Sequence, residues 1–531
     1  MEIPVPDIGR RSFLAATAAA PVMAIAPPSA VAAATGSRVP LTRSQVRALV
    51  IGSGFGGGVA ALRLAQAGVP VTVLERGIRW PTGPNATTFP SPTVPDKRIS
   101  WLSTTPTLAG VPQVETEKYT GLLERVVGNG MDIMCGAGVG GGSLVYQGMT
   151  LQPAKDVFNA NFPDFLDYDR MARVHYPRVA RMLQLQTAPD ELINSPTYAP
   201  SRFFAQDVAL AGYQVEKIPM PIDWTFALRE LNGEMTPSYT NGDCAIGVNN
   251  GGKHSVDVTY IAAAEATGRV NVLTLHNVTD VARTRTGHWQ VMVDRIDTAG
   301  TVVEQKIITT DALVMGAGSA NTTKLLMRAD GKGLIPNLPD GLGANWGSNA
   351  DRIYNWISTT QDFGAIQGGP VVYGTKDWAD PAFANTIIQA SIPPLPIDLK
   401  MTSIVGYGVS DGRGRFTYDA AKDDAVLQWT WGSDDAVQAK ILERITKIIG
   451  AGSVLRDQTE EDRSTWHPMG GASMGIVCDL DGRVLGQRGL YVLDGALLPG
   501  NSAACNPSMT IAAIAERAME SIILRDVGII F

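Results

Sequence analysis

The stretch that decides the fold runs from Val46 to Gly77 and reads VRALVIGSGFGGGVAALRLAQAGVPVTVLERG. It opens on a short apolar run, which predicts a buried parallel strand over 46–51. Gly52, Gly54 and Gly57 then make the spacing G-x-G-x-x-G, with Phe55 and Gly56 inside it. Residues 55–66 predict a helix, Gly68 and Pro70 end it, and 71–74 predict a second strand closing on Glu75. The first glycine permits the tight turn, and the second lets the backbone approach a pyrophosphate. The third lets helix and strand pack closely. The pyrophosphate would rest on the helix N-terminus, where free N–H groups and the helix dipole favour an anion. Glu75 follows Gly52 by 23 residues (75 − 52), the spacing at which a carboxylate accepts hydrogen bonds from a ribose diol. This predicts a dinucleotide-binding βαβ unit and an α/β fold. The motif does not separate NAD from FAD.

Working outward, 85–110 is rich in Pro, Thr and Ser and predicts a long surface loop. A second glycine-rich stretch, GAGVGGGSLVYQGMT, begins at Gly136. It suits either a second close approach to the same extended cofactor or the packing of backbone on backbone. Residues 153–243 mix aromatic and charged residues, with RMARVHYPRVARML reading as helix, and predict the start of a second domain. DALVMGAGS ends a further buried strand, and the segment from 351 to about 460 is more polar and rich in strand signals, GRGRFTYD among them. The C-terminal GLYVLDGALLPGNSAACNPSMTIAAIAERAMESIIL predicts strand, loop and amphipathic helix. The cofactor domain is therefore expected to be discontinuous, over 44–155, 244–350 and 461–531, with a substrate domain over 156–243 and 351–460.

Bulk properties narrow the function. The chain has 531 residues and a net charge of −7, which argues against a nucleic-acid binder with its basic face. Four cysteines and five histidines lie scattered without metal-ligand spacing, so no metal site is expected. A core of this size does not need disulfides, although one or two are open. The first 34 residues contain Arg10 and Arg11, then an Ala-rich run with prolines, then small residues suited to cleavage. They predict a twin-arginine leader that exports a folded protein, the other reading being a disordered Ala-rich tail.

Two positions near the end carry chemistry. Asn506-Pro507 precedes an apolar-periodic helix over about 508–524, the pattern of an N-cap followed by proline at the first helical position. Asn506 either only caps that helix or lies beside a flavin, with the positive end of the helix aimed at the flavin pyrimidine. His467 sits in STWHPMGGASMGI, surrounded by glycine. A lone histidine is often structural, but a glycine-flanked imidazole leaves room for a substrate whose hydroxyl proton it accepts.

The chain resembles the glucose–methanol–choline (GMC) oxidoreductases, and within them the bacterial cholesterol oxidases with non-covalent FAD. The resemblance rests on GSGFGGGVAALRL, VLERG, PDKRISW, GVGGGSLVYQGM, GKHSVDVTYIAAA, TLHNV, GAGS, WHPMGGASMG, GLYVLDGALLPG and NPSMTIAAIAER, in family order from about 46 to 524. It implies a Rossmann-like FAD-binding domain and a steroid-binding domain on a mostly antiparallel sheet. It also implies oxidation of a 3β-hydroxysteroid with O₂ as the final acceptor, giving H₂O₂. By position, Glu75 would hold the adenosine ribose and Val278 would touch the adenine end. Gly142, Tyr146 and Met149 would lie along the flavin. Asp494, Gly495 and Ser508 would approach its ribityl and pyrimidine parts. His467 and Asn506 fall where the family keeps a histidine and an asparagine beside the substrate hydroxyl.

The departures are specific. Ser391, in QASIPPLP, stands where cholesterol oxidases carry the glutamate that isomerises the 5-en-3-one to the 4-en-3-one, and Asp398 is the nearest downstream carboxylate. A serine hydroxyl is too weakly basic for that step. Tyr146 replaces a small polar residue, and Ser508 an aromatic one. The expectation is a monomeric, secreted enzyme that oxidises a sterol alcohol, isomerises it poorly, and touches membrane surfaces only transiently. The alternatives are a GMC oxidase or dehydrogenase for another alcohol, a non-redox FAD lyase, and a sterol carrier.

Overall fold

The computed structural model describes residues 39–108 and 111–531. The leader expected over 1–34 lies outside the described residues.

Strand β1 spans Leu41–Ile51, helix α1 Phe55–Gln66 and strand β2 Val71–Leu74. β1 begins ahead of its apolar run, and its first residues are exposed. Main-chain pairing extends it, because Leu41 through Ile51 run in parallel register with Gln305 through Met315. The parallel core of the first sheet has the order Val270–Leu273, β2, β1, Val302–Met315, Leu490–Val492. Further back along Val302–Met315, Trp289–Ile296 and His276–Arg283 add antiparallel strands to the same sheet. Such a sheet, covered by α1 and the C-terminal helix Pro507–Asp526, binds ligands at the carboxyl ends of its strands. The two helices are joined through Glu516, which is fully buried. It accepts from Arg63 at 2.6 and 2.7 Å, from Tyr260 at 3.0 Å and from Arg178 at 3.2 Å. Full pairing offsets the desolvation of this carboxylate.

The second sheet has the order Ser453–Asp457, Arg352–Ser358, Met401–Gly408, Asn385–Ala390, Tyr373–Asp377, Glu216–Lys217, with every neighbouring pair antiparallel. Alternation gives it two faces. Trp356, Ile387 and Ile404 pack against helices Ala199–Leu210 and Asp435–Ile449 through Phe204, Val208, Val437 and Ile441. Gly406 permits this approach, since a Cβ there would lie 2.1 Å from Ile441 Cγ2. Ile353, Ile388, Ala390 and Val405 point the other way, into a cavity shared with the first sheet.

Two segments within the spans expected for the substrate domain pack elsewhere. The hairpin Arg415–Asp419/Asp424–Gln428 buries Phe416 and Leu427 with Val126, Ile133 and Ala320. Met171, Tyr176 and Val179 join the core around the parallel sheet. All four cysteines are free, and among the described residues no helix is long and apolar enough to cross a membrane and no side-chain cluster suits a metal ion.

Candidate active site

One cavity of about 650 Å³ runs from the carboxyl end of β1 to the inner face of the antiparallel sheet. Its first arm is made largely of backbone. Gly52 has φ +91°, and a Cβ there would lie 2.3 Å from the Gly316 carbonyl oxygen. A Cβ at Gly57 would lie 2.0 Å from the Gly52 carbonyl oxygen, so this glycine serves the packing of α1 and does not line the cavity. Gly54 differs, because a Cβ there would meet only Gly141 Cα at 3.9 Å, and at Gly142 it would meet nothing within 4 Å. Both line the cavity, as do Phe55 and Gly56. The protein thus leaves free space at the uncapped N-terminus of α1, which has no acidic residue in its first turn. Free N–H groups facing open space suit a pyrophosphate.

Glu75 is buried beside this turn. It accepts from Ser53 Oγ at 2.6 Å and from the N–H groups of Gly77, Gly138 and Ser53 at 2.9, 3.3 and 3.3 Å. These donors fix the carboxylate and compensate for its loss of water. Val278 lines the same arm with His276, Asn277 and Thr279. The donor set, the space at Gly54 and Gly142 and the fixed carboxylate fit an adenine dinucleotide.

In the middle of the cavity, Tyr146, Met149, Asp494, Gly495 and Ser508 converge. Phe55 packs edge-on to the Tyr146 ring at 5.6 Å. Burial pushes the Tyr146 phenol up, and its hydroxyl has no protein partner. Burial also pushes Asp494 up to about 6, against hydrogen bonds from Thr322 Oγ1 and from the N–H groups of Ala496 and Gly318. Beneath this region Lys253 donates to the carbonyls of Leu144 and Tyr146 at 3.0 and 2.5 Å, pinning the second glycine-rich stretch. Burial lowers its pKa to about 7.

His467 and Asn506 meet where this arm joins the antiparallel sheet. His467 Nε2 lies 3.1 Å from Asn506 Nδ2. Asn506 is the N-cap residue of the C-terminal helix, but its side chain caps nothing. Its Oδ1 accepts from the Tyr407 hydroxyl at 2.7 Å. Tyr407 also packs edge-on to the imidazole at 5.5 Å. On the other side of the ring, Nδ1 lies 2.6 Å from Asp351 Oδ1. Asp351 Oδ2 accepts from Thr465 Oγ1 at 2.9 Å and from the Trp466 N–H at 3.3 Å. The pair can hold an alcohol oxygen on the asparagine amide and take its proton on the imidazole.

The wall facing this pair is apolar, with Met149, Ile246, Ile388, Ala390 and Val405. Ser391 is buried but is not among the cavity-lining residues. It packs against Gly369, and its hydroxyl has no partner. Asp398 also lies outside the cavity, on a turn where it accepts from the Lys400 N–H at 2.7 Å. Sequence reading missed Asp351, Tyr407 and Lys253. Asp351 and Tyr407 lie in no quoted motif, Lys253 lies in GKHSVDVTYIAAA without being singled out there, and Asp351 and His467 are 116 residues apart.

GMC oxidoreductase models match residues 34–345 (N-terminal model) and 411–515 (C-terminal model), more than half of the chain. The chain is 25% identical over 551 residues to a cholesterol oxidase of Mycobacterium tuberculosis (strain ATCC 25618 / H37Rv), covering 88% of this chain and 90% of the relative. It is 25% identical over 555 residues to a cholesterol oxidase of Acinetobacter baumannii, covering 89% and 94%. Among solved structures, pyridoxine 4-oxidase from Mesorbium loti shares the fold, with a TM-score of 0.62 at 16% identity over 90% of this chain and 99% of that one. With a dinucleotide cradle and a histidine–asparagine pair in one cavity, the chain belongs to the GMC oxidoreductase family, as an FAD-dependent oxidoreductase acting on CH–OH groups.

Proposed function

We propose that the protein oxidises the 3β-hydroxyl of a sterol or steroid to the 3-ketone, with electrons passing on to O₂ as H₂O₂. The observation that carries this reading is the meeting of His467 and Asn506, 3.1 Å apart, with an apolar wall of Met149, Ile246, Ile388, Ala390 and Val405. Non-covalently bound FAD would supply the acceptor for the carbon-bound hydrogen and its electron pair. The Asn506 amide donates to the substrate oxygen, and His467 Nε2 takes the hydroxyl proton. The fused rings of a steroid are rigid and apolar and suit such a wall. Substrate naming in the two cholesterol oxidase relatives supports the same class.

Isomerisation to the 4-en-3-one needs a base on the steroid face. Of the two positions considered for it, Ser391 has no carboxylate, and both Ser391 and Asp398 lie off the cavity. The 5-en-3-one is therefore the expected product. The test is an anaerobic mix of purified protein with cholesterol, following the oxidised-flavin band and the ultraviolet enone band together. Bleaching without enone supports the reading, and bleaching with matched enone growth overturns the isomerisation part. A flavin that stays oxidised overturns the sterol part. A second reading, a smaller and more polar alcohol, is favoured by Tyr146 and Gln147, which line the cavity and whose hydroxyl and Oε1 are buried without protein partners.

Export, a monomeric state and transient lipid contact belong to the same proposal. Export rests on Arg10 and Arg11 and the Ala-rich run behind them. Replacing both arginines by lysine should keep flavin-loaded protein in the cytoplasm, and unchanged secretion would refute it. Light scattering should give the mass of one chain, and acid denaturation should release all the flavin.

A further inference from the structure

We propose that Asp351 is a positioning residue that decides which nitrogen of His467 faces the substrate, and through it the direction of the hydrogen-bond chain ending at Tyr407. The inference deepens the reading of His467 as the group that receives the alcohol proton. A carboxylate has only acceptors to offer. With Asp351 Oδ1 2.6 Å from Nδ1, that nitrogen must carry the hydrogen. In the neutral ring the lone pair is then on Nε2, the nitrogen turned toward Asn506. With no alcohol bound, Asn506 must present its NH₂ to that lone pair, which leaves its Oδ1 to Tyr407, and Tyr407 must donate. Burial pushes the Tyr407 phenol well up, so it keeps the proton this requires.

The reverse arrangement fails at one point. With Nε2 protonated, Asn506 could flip to accept and Tyr407 could accept in turn, but the Nδ1 lone pair would then face the Asp351 carboxylate. The other neighbour of Nδ1, Asn349 Nδ2, donates one hydrogen to the Cys505 carbonyl at 2.9 Å and has its second left for Nδ1, but at 3.4 Å that contact is far longer than the 2.6 Å to Asp351 Oδ1 and does not relieve a lone pair set against the carboxylate. Asp351 is itself held, because Thr465 and the Trp466 N–H occupy its second oxygen. Thr465, Trp466 and His467 are consecutive, so the imidazole and its orienting carboxylate are clamped by one short segment.

The chain has only five histidines, so the test is nitrogen NMR on ¹⁵N-histidine-labelled, flavin-loaded protein, with His467 assigned by its loss in His467→Gln. In the wild type with its ring neutral, Nδ1 should appear protonated and Nε2 unprotonated. Asp351→Ala should convert His467 to the Nε2–H form. Tyr407→Phe, which removes the far end of the chain, should leave the Nδ1–H form in place. Flavin reduction by the alcohol should slow by about a hundred-fold or more in Asp351→Ala. Asp351→Asn, which keeps an acceptor oxygen, should retain part of the Nδ1–H signal and part of the rate. It also serves if the alanine variant does not fold. An Nε2–H signal in the wild type, or an Nδ1–H signal that survives in both Asp351 variants, would overturn the proposal. The tautomer is read without substrate, so a flavin that no sterol reduces would count against the proposed function alone.

Discussion

The cofactor cradle and the substrate wall share one cavity but are built in opposite ways. The cradle is made of backbone at glycine-rich turns, through the close approaches at Gly52 and Gly57, the open space at Gly54 and Gly142, and a carboxylate fixed largely by N–H groups. The wall and the His467–Asn506 pair are made of side chains carried on segments far apart in sequence. Tyr407 reaches Asn506 across 99 residues and Asp351 reaches His467 across 116. A backbone-built site constrains residue type tightly at fixed spacing. A side-chain-built site constrains only which groups meet, and many sequences satisfy it.

This contrast can be broken or sharpened by substitution. The largest effect is expected at the side-chain site, where His467→Gln should slow flavin reduction by about 10²- to 10⁴-fold with flavin content unchanged. A loss below ten-fold in stopped-flow reduction would remove His467 from the role of base. In the cradle, Gly57→Ala should cost about 3 kcal/mol or more in unfolding experiments, because its Cβ would strike backbone at 2.0 Å. Gly54→Ala meets no such obstacle. It should leave the apoprotein's stability near wild type and lower only FAD affinity, and equal destabilisation by both would mean that Gly54 serves packing as Gly57 does.

Lys253, behind the second glycine-rich stretch, gives a pH test. Burial lowers its pKa from 10.5 to about 7, so between those values the unfolded chain binds more protons than the folded one. Stability should therefore rise with pH across that window. Lys253→Met should flatten the rise and, by stripping the Leu144 and Tyr146 carbonyls of their donor, loosen flavin binding. Denaturant titrations at pH 7 and pH 9 would show it, and parallel pH slopes in both proteins would count against it. The smallest effect is expected at Ser391. Its hydroxyl is buried without a partner, so Ser391→Ala should leave oxidation unchanged and stability equal or up to about 1 kcal/mol higher. A clear fall in alcohol oxidation would mean that Ser391 does reach the substrate.

The α/β fold class and the GMC family were readable from the sequence because their marks are local. G-x-G-x-x-G between two apolar runs has one inexpensive backbone solution, and Glu75 follows at the distance a single βαβ unit sets. The sequence alone also singled out His467 and Asn506. It left Asn506 open between a helix cap and a site residue, because both need the same residue before Pro507. Only the tertiary structure set the cap aside, by turning the amide away from its own helix toward Tyr407 and His467. Likewise it alone brought Asp351 to the imidazole and turned Ser391 away from the cavity, where residue type had said only that serine is no base. Local steric rules act between neighbours along the chain and leave their trace in spacing. The partners of a side chain are fixed by how sheets and helices pack, and no single stretch of sequence records that.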